Sequence, residues 1–170
     1  IGLATGTAQG ISAMMFYLAI YVAMTLGSFI CVLEMRDRDG KPLESLASLA
    51  GLSQTRPGLA AAFAVFMFSL AGIPPLFGFW GKFLVFDAAV AAGMLPLAVI
   101  GIAASVIGAF YYIKVVKIIY FDEPANEVVV TGHKAENILI ALLALIVSPL
   151  GYLAIPFVAP ITAAAAGALF

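Results

Sequence analysis

The chain has 170 residues, 64% of them hydrophobic and only 10% charged, with eight basic and nine acidic side chains for a formal net charge of -1. That charge fraction is less than half the roughly 25% of an ordinary globular domain, which excludes a water-soluble enzyme, a disordered chain and a nucleic-acid binder. A single cysteine, Cys31, and a single histidine, His133, leave no intramolecular disulfide and no ligand spacing for zinc or haem.

What remains is an all-α integral membrane protein. The chain opens on Ile1 in mid-pattern, without the basic stretch and cleavage site of a signal peptide, and reads as a piece of a longer protein in which residues 1–9 close a preceding helix. Apolar runs of the roughly 20 residues needed to cross a bilayer lie at 10–33, 96–121 and 138–158. A fourth run, 59–92, is too long. As one helix it would extend about 51 Å, against a hydrocarbon core of about 30 Å. Gly72, Ile73, Pro74 and Pro75 interrupt it, followed by Gly78 and Gly81. Two successive prolines remove two backbone donors, so the helix stops near Ala71 and restarts beyond Leu76, as two half-helices in one crossing or as a hairpin.

Charge placement favours one crossing. Arg36, Arg38, Lys41, Arg56, Lys114, Lys117 and Lys134 then fall at one membrane face and the other face has no basic residue. The positive-inside rule makes loops 34–58 and 122–137 cytoplasmic and puts the C-terminus on the periplasmic side of a bacterial inner membrane. Pro42, with Leu43, Leu46, Leu49 and Leu52 behind it at three-residue spacing, predicts a short helix lying in the interface. Gly101, Ser105, Gly108 and Ala109 give the third span a small-residue face for close packing. In the last span Pro149 predicts a kink, and Pro156 and Pro160 predict its end. His133 reads as a solvated loop histidine.

Thirteen of the charges sit in the two loops, leaving Lys82, Asp87, Lys114 and Lys117 inside apolar runs. Lys117 and Lys114 are near enough to Phe121 to bury their stems and carry their ammonium groups to the interface. Asp87 lies five residues from the outer end of its run and reads as a partly hydrated acid. Lys82 differs: it stands seven residues past Pro75 and ten before Ala92, beyond easy reach of either interface. A lysine at mid-membrane costs on the order of 3 kcal/mol, so it faces the bundle interior or a water-filled cavity, where it can gain and lose a proton. Asp87 is a poor partner for it, because a spacing of five sets the two side chains about 140° apart on a helix. Carbonyls freed at the break near Ser69 and Ala71, with the Ser69 hydroxyl, could hold water close to the amine. Broken helices at the midplane recur in secondary transporters for this reason.

The run from Phe66 through Ser69 and Gly72 to Pro74 and Pro75, continued by Gly78, Phe79, Trp80, Gly81, Lys82 and Phe83, closely resembles the discontinuous helix of the antiporter-like membrane subunits of NADH:quinone oxidoreductase (respiratory complex I) and of Mrp-type cation/proton antiporters. Leu46 to Leu52 with Thr55, Arg56 and Pro57, and Gly108 to Tyr112 leading to Tyr120, Phe121 and Asp122, look most like the subunit N branch of that family. The resemblance implies the last four crossings of a fold of about fourteen helices, with 59–92 discontinuous at residues 72–75. It implies that Lys82 is a proton relay, and it leaves Ser69, Gly72, Pro74, Pro75, Asp87 and Lys114 as candidate channel or helix-break residues. It also implies that NADH, flavin, iron-sulfur clusters and quinone are handled by other subunits, so that this chain holds no cofactor and no metal and is not catalytic alone. The implied partners are other membrane-arm subunits, the lipid bilayer and protons, with no nucleic acid. The alternatives are an Mrp-type subunit exchanging sodium for protons, and a structural or assembly subunit whose broken helix serves packing.

Overall fold

Backbone groups in a bilayer have no water to bond, so a chain this apolar is driven into helices, whose hydrogen bonds close within the segment. The computed structural model describes residues 1–37, 39–43, 45–124, 129–130 and 134–169. Helix α1 (Ala8–Leu33) is followed by a loop with strand β1 (Met35–Arg36) and a short helix α2 (Leu52–Thr55). Then come α3 (Pro57–Ala71), α4 (Phe77–Ala91), α5 (Leu95–Phe121), strand β2 (Val129–Val130), α6 (Lys134–Val147) and α7 (Ile155–Gly167). His133 lies outside the described residues.

The first nine residues, expected to end a preceding helix, divide in two. They hold a single 3-10 turn (Leu3–Thr5) closed by Gly6 at φ +62°, a left-handed conformation. Ala8 and Gln9 already belong to α1, because the Thr7 hydroxyl accepts a hydrogen bond from the Gly10 N–H (3.1 Å) and satisfies a donor the first helical turn cannot. Helix α1 is the hub and packs against α3, α4, α6 and α7. Apolar helices in lipid gain from close packing more than from leaving water, so small residues mark the contacts. At Gly27 a Cβ would stand 2.2 Å from the Phe66 ring, which is fully buried beside Met24.

The two charged loops meet. Met35 pairs with Val130 and Arg36 with Val129 as an antiparallel ribbon, so both loops sit at one end of the bundle. That placement is what one broken passage through α3 and α4 would give, whereas a hairpin would part the loops. The leucine stripe, expected as one short interfacial helix, forms two short pieces. Its spacing of three is that of a 3-10 turn, which forms at Leu46–Leu49, and Gly51 at φ +68° then turns the chain into α2. Leu49 and Leu52 are buried, both pieces pack on α5, and the Gly51 N–H donates to the Ile118 carbonyl (3.4 Å).

The last segment departs most from expectation. Helix does not end at Pro156 and Pro160; α6 and α7 are joined by a 3-10 turn over Pro149–Ala154, and helix continues to Gly167. Pro156 lies in the first turn of α7, where its missing N–H costs nothing, and Pro160 sits inside the helix, as membrane helices permit. Ser148 caps the junction by donating to the Leu145 carbonyl (2.7 Å) and accepting from the Leu150 N–H (3.2 Å). Both α6 and α7 pack on α1, and Ser12 reaches Thr162 across the α1–α7 contact (3.2 Å). This is a second interrupted segment, roughly 50 Å long if straight, alongside an α1 of about 39 Å. Its break touches the first one: Phe77, the first residue of α4, packs on Tyr152 at 5.5 Å between ring centroids, and a Cβ on Gly151 would meet the same ring at 2.7 Å.

Candidate functional site

The end of α3 is closed by Gly72 at φ +84°, a left-handed position that costs other residues strain. The Ile73 N–H donates to the Phe68 carbonyl (3.0 Å) and the Gly72 N–H to the Ser69 carbonyl (3.0 Å), the two bonds of a Schellman motif. Pro74 and Pro75 have no N–H to extend the ladder, so the next two carbonyls of α3, those of Leu70 and Ala71, are left for another donor.

Lys82 is that donor. Its half-buried Nζ donates to the Leu70 carbonyl (2.8 Å), to the Ala71 carbonyl (3.3 Å) and to Ser105 Oγ on α5 (2.9 Å). An ammonium has three N–H donors, and each has an acceptor here. Among the described residues Lys82 makes no salt bridge. Gly72 is also what lets the amine approach, since a Cβ there would lie 3.1 Å from Lys82 Cδ and 3.3 Å from Nζ.

Ser69, expected to hold water near the amine, has a structural bond of its own. It is fully buried, and its hydroxyl accepts from the Gly78 N–H (2.9 Å), so it ties α3 to α4 across the break. Ser69→Ala strands a buried N–H, a loss of about 1–3 kcal/mol. The expected outcome is a lower thermal midpoint of the assembled full-length subunit, with Ser69→Thr less affected than Ser69→Ala.

The Lys82–Ser105 pair lines two clefts. One of about 480 Å³ runs between α4 and α5, with Asp87, Phe83 and Gly72 among its lining residues. The other, of about 420 Å³, lies toward Tyr17 and Met14 of α1. Asp87 is exposed in the first cleft. Lys114 is exposed on α5 and lines neither cleft, so the structure does not bring it to Lys82. Lys117 forms an exposed ion pair with Asp122. Ser105 is the site residue that sequence reasoning passed over, placing it only on a small-residue face. Its register on that face was visible, but which neighbour it faced was not.

A lysine seated on carbonyls freed by a helix break, inside an apolar helical bundle, defines a transmembrane domain built around a discontinuous helix. The family model described as "NADH:quinone oxidoreductase/Mrp antiporter, TM" matches residues 1–108, and the chain belongs to that family. NADH-quinone oxidoreductase subunit N of Rhizorhabdus wittichii is 68% identical over 170 residues, 99% of this chain and 35% of that protein. Its counterpart in Erythrobacter litoralis is 58% identical, covering 100% of this chain and 35% of the relative. The chain thus spans about a third of the length of these relatives. Among solved structures, respiratory complex I from Thermus thermophilus matches with a TM-score of 0.76 at 30% identity, covering 94% of this chain and 36% of that one. The Mrp complex of a Dietzia species matches at 0.71 and 22% identity, over 96% of this chain and 39% of that one, and shows the fold alone.

Proposed function

We propose that this chain is part of a proton-translocating membrane-arm subunit of NADH:quinone oxidoreductase, in which Lys82 passes protons between the two clefts. In this reading α1, the α3–α4 pair, α5 and the α6–α7 pair make four crossings. The loop end is cytoplasmic, the far end of α7 faces the periplasm, and redox cofactors and quinone stay with partner subunits. The observation that carries it is the Lys82 amine, bonded to two freed carbonyls and to a hydroxyl that shares both clefts.

Ser105 suits a group that changes protonation. A hydroxyl accepts from the ammonium and can turn to donate to the lone pair of the neutral amine, so either form keeps a partner. The two carbonyls only accept, and they favour the charged form. The lysine therefore holds a proton on the carbonyls and gives it up when water or a charge in either cleft offers a better site. The test is Lys82→Met in the full-length subunit, assembled in its complex, with protons moved per electron as the readout; unchanged stoichiometry overturns the proposal. Sodium-dependent translocation in place of sodium-independent pumping would move the assignment to cation/proton exchange.

A further inference from the structure

Helix α1 ends on a second ionisable group, one that the Lys82 site does not use. Glu34, just past Leu33, is only 3% exposed, and neither carboxylate oxygen has a hydrogen-bond partner. It lies at the loop end. Gly81, next to Lys82, packs on Tyr17 and Ile20 of α1, so Glu34 is about 21 Å further along that helix. Fully buried Met24, Cys31 and Phe66 fill the stretch between. Buried apolar side chains thus lie between the two groups.

A buried acid without a partner is costly in either form. The carboxylate is poorly solvated, and the neutral acid leaves an O–H donor unpaired, for about 1–3 kcal/mol. A hydrophobic residue of similar size would avoid both costs, so structure alone gives no return for an acid here. Burial chiefly, and repulsion by Glu136 of α6 in addition, push the Glu34 carboxyl above the usual carboxylate range. The charged and titratable groups around it are few among the described residues. Glu136 is half-buried, and the Cys31 thiol lies on its own helix. Arg36 turns its guanidinium to the Gly40 carbonyl (3.3 Å), and Lys134 at the start of α6 is exposed. None of these supplies a counter-charge bonded to the carboxylate.

We propose that Glu34 is a second proton-holding site of this chain, a buried carboxyl that takes up and releases a proton at the loop end of the bundle, independently of Lys82. Its ligand is the proton. Glu136, half-buried and electrostatically coupled to it, is the group through which it exchanges with water: a proton taken up by Glu136 passes to ionised Glu34 and leaves Glu136 charged again. The site does not depend on the role assigned to Lys82, and a failure of either leaves the other standing.

The experiment compares the wild-type full-length subunit with Glu34→Gln and Glu136→Gln in the assembled membrane complex, between about pH 5 and 9. Two quantities are followed: the thermal midpoint, and labelling of the Glu34 peptide by dicyclohexylcarbodiimide, which attacks protonated carboxyls in apolar surroundings. An acid whose folded value is raised binds more protons folded than unfolded, so it subtracts stability as pH rises from about 4.3 through its folded value. The wild-type midpoint should therefore fall with pH more steeply than that of Glu34→Gln. Labelling of wild type should fall by about tenfold or more once pH passes the folded value by one unit, since a tenfold change in ionisation follows each unit. Glu136→Gln should move both transitions to lower pH. Parallel stability profiles for wild type and Glu34→Gln overturn the proposal whatever the labelling, and pH-independent labelling of the wild type overturns it on its own. Wild-type labelling needs no variant to fold, so the test survives a misassembled mutant.

Discussion

Gly78→Ala should abolish accumulation of the folded subunit. A Cβ at this position would lie 2.3 Å from the Ser69 carbonyl oxygen, 2.6 Å from Ser69 Oγ and 2.8 Å from Met24 Sδ. The first of these is backbone and cannot swing aside. Overpacking in a tight core costs about 1–3 kcal/mol, and here the strain falls on the break itself, where Ser69 Oγ holds the Gly78 N–H at 2.9 Å. Relieving the clash means parting α4 from α3 and losing that bond, which adds about another 1–3 kcal/mol for the stranded N–H. The sum approaches the whole stability of many domains. Gly108→Ala is the control, because a Cβ there meets nothing within 4 Å. Membrane levels of the assembled subunit, read by immunoblot after native electrophoresis, check this: normal levels for Gly78→Ala would show that the two half-helices are not joined so tightly.

Lys82→Met should leave assembly intact and sharply lower proton translocation. Methionine keeps an unbranched apolar stem and removes a charge whose placement at mid-membrane costs on the order of 3 kcal/mol, so the fold has no reason to weaken. The Leu70 and Ala71 carbonyls lose their donor, but Ala71 lines the larger cleft, which can admit water beside the vacated position. Ser105→Ala is the finer probe. It leaves the amine with its two carbonyls but removes both the acceptor of its third N–H and the group able to donate to its neutral form, so neither state keeps a full set of partners and translocation falls. The double variant Lys82→Met with Ser105→Ala should translocate no worse than Lys82→Met alone, because the hydroxyl acts through the amine. Proton-to-electron ratios in proteoliposomes check both. A Ser105→Ala effect that persists in the Lys82→Met background would give the serine an independent part.

Much of this was legible in the residues. The prolines at 74 and 75 and the glycine at 72 located the break, because no helix can carry two successive residues without N–H groups through its interior. The distance of Lys82 from both ends of its run identified it as the uncompensated charge. Its partners were not legible. A sequence shows that carbonyls are freed at a break but not which side chain turns back to them, and the placement of Ser105 depends on how α5 rotates against α4. The bond Ser69 makes was hidden for the same reason: a hydroxyl beside a gap shows no partner until the N–H of the second residue of the next helix is found on it. The last segment failed on a different count. Proline stops a helix it interrupts but suits one it begins, and nothing local distinguished the two roles of Pro156 before the turn at Pro149–Ala154 was seen. Glu34 was counted with the loop charges. It is buried next to β1, which pairs with β2 across more than 90 residues of sequence.

The meeting of the two breaks has a mechanical consequence. Phe77 opens α4, and the same ring closes against Gly151 and Tyr152 in the joint between α6 and α7. Lys82, little more than one turn beyond Phe77, ties that half-helix to the carbonyls of α3. The ring has no slack against a glycine that already lacks room for a methyl group. Two joints that share a wall in this way cannot be repacked one at a time: a change at the first turn of α4 is felt in the turn between α6 and α7.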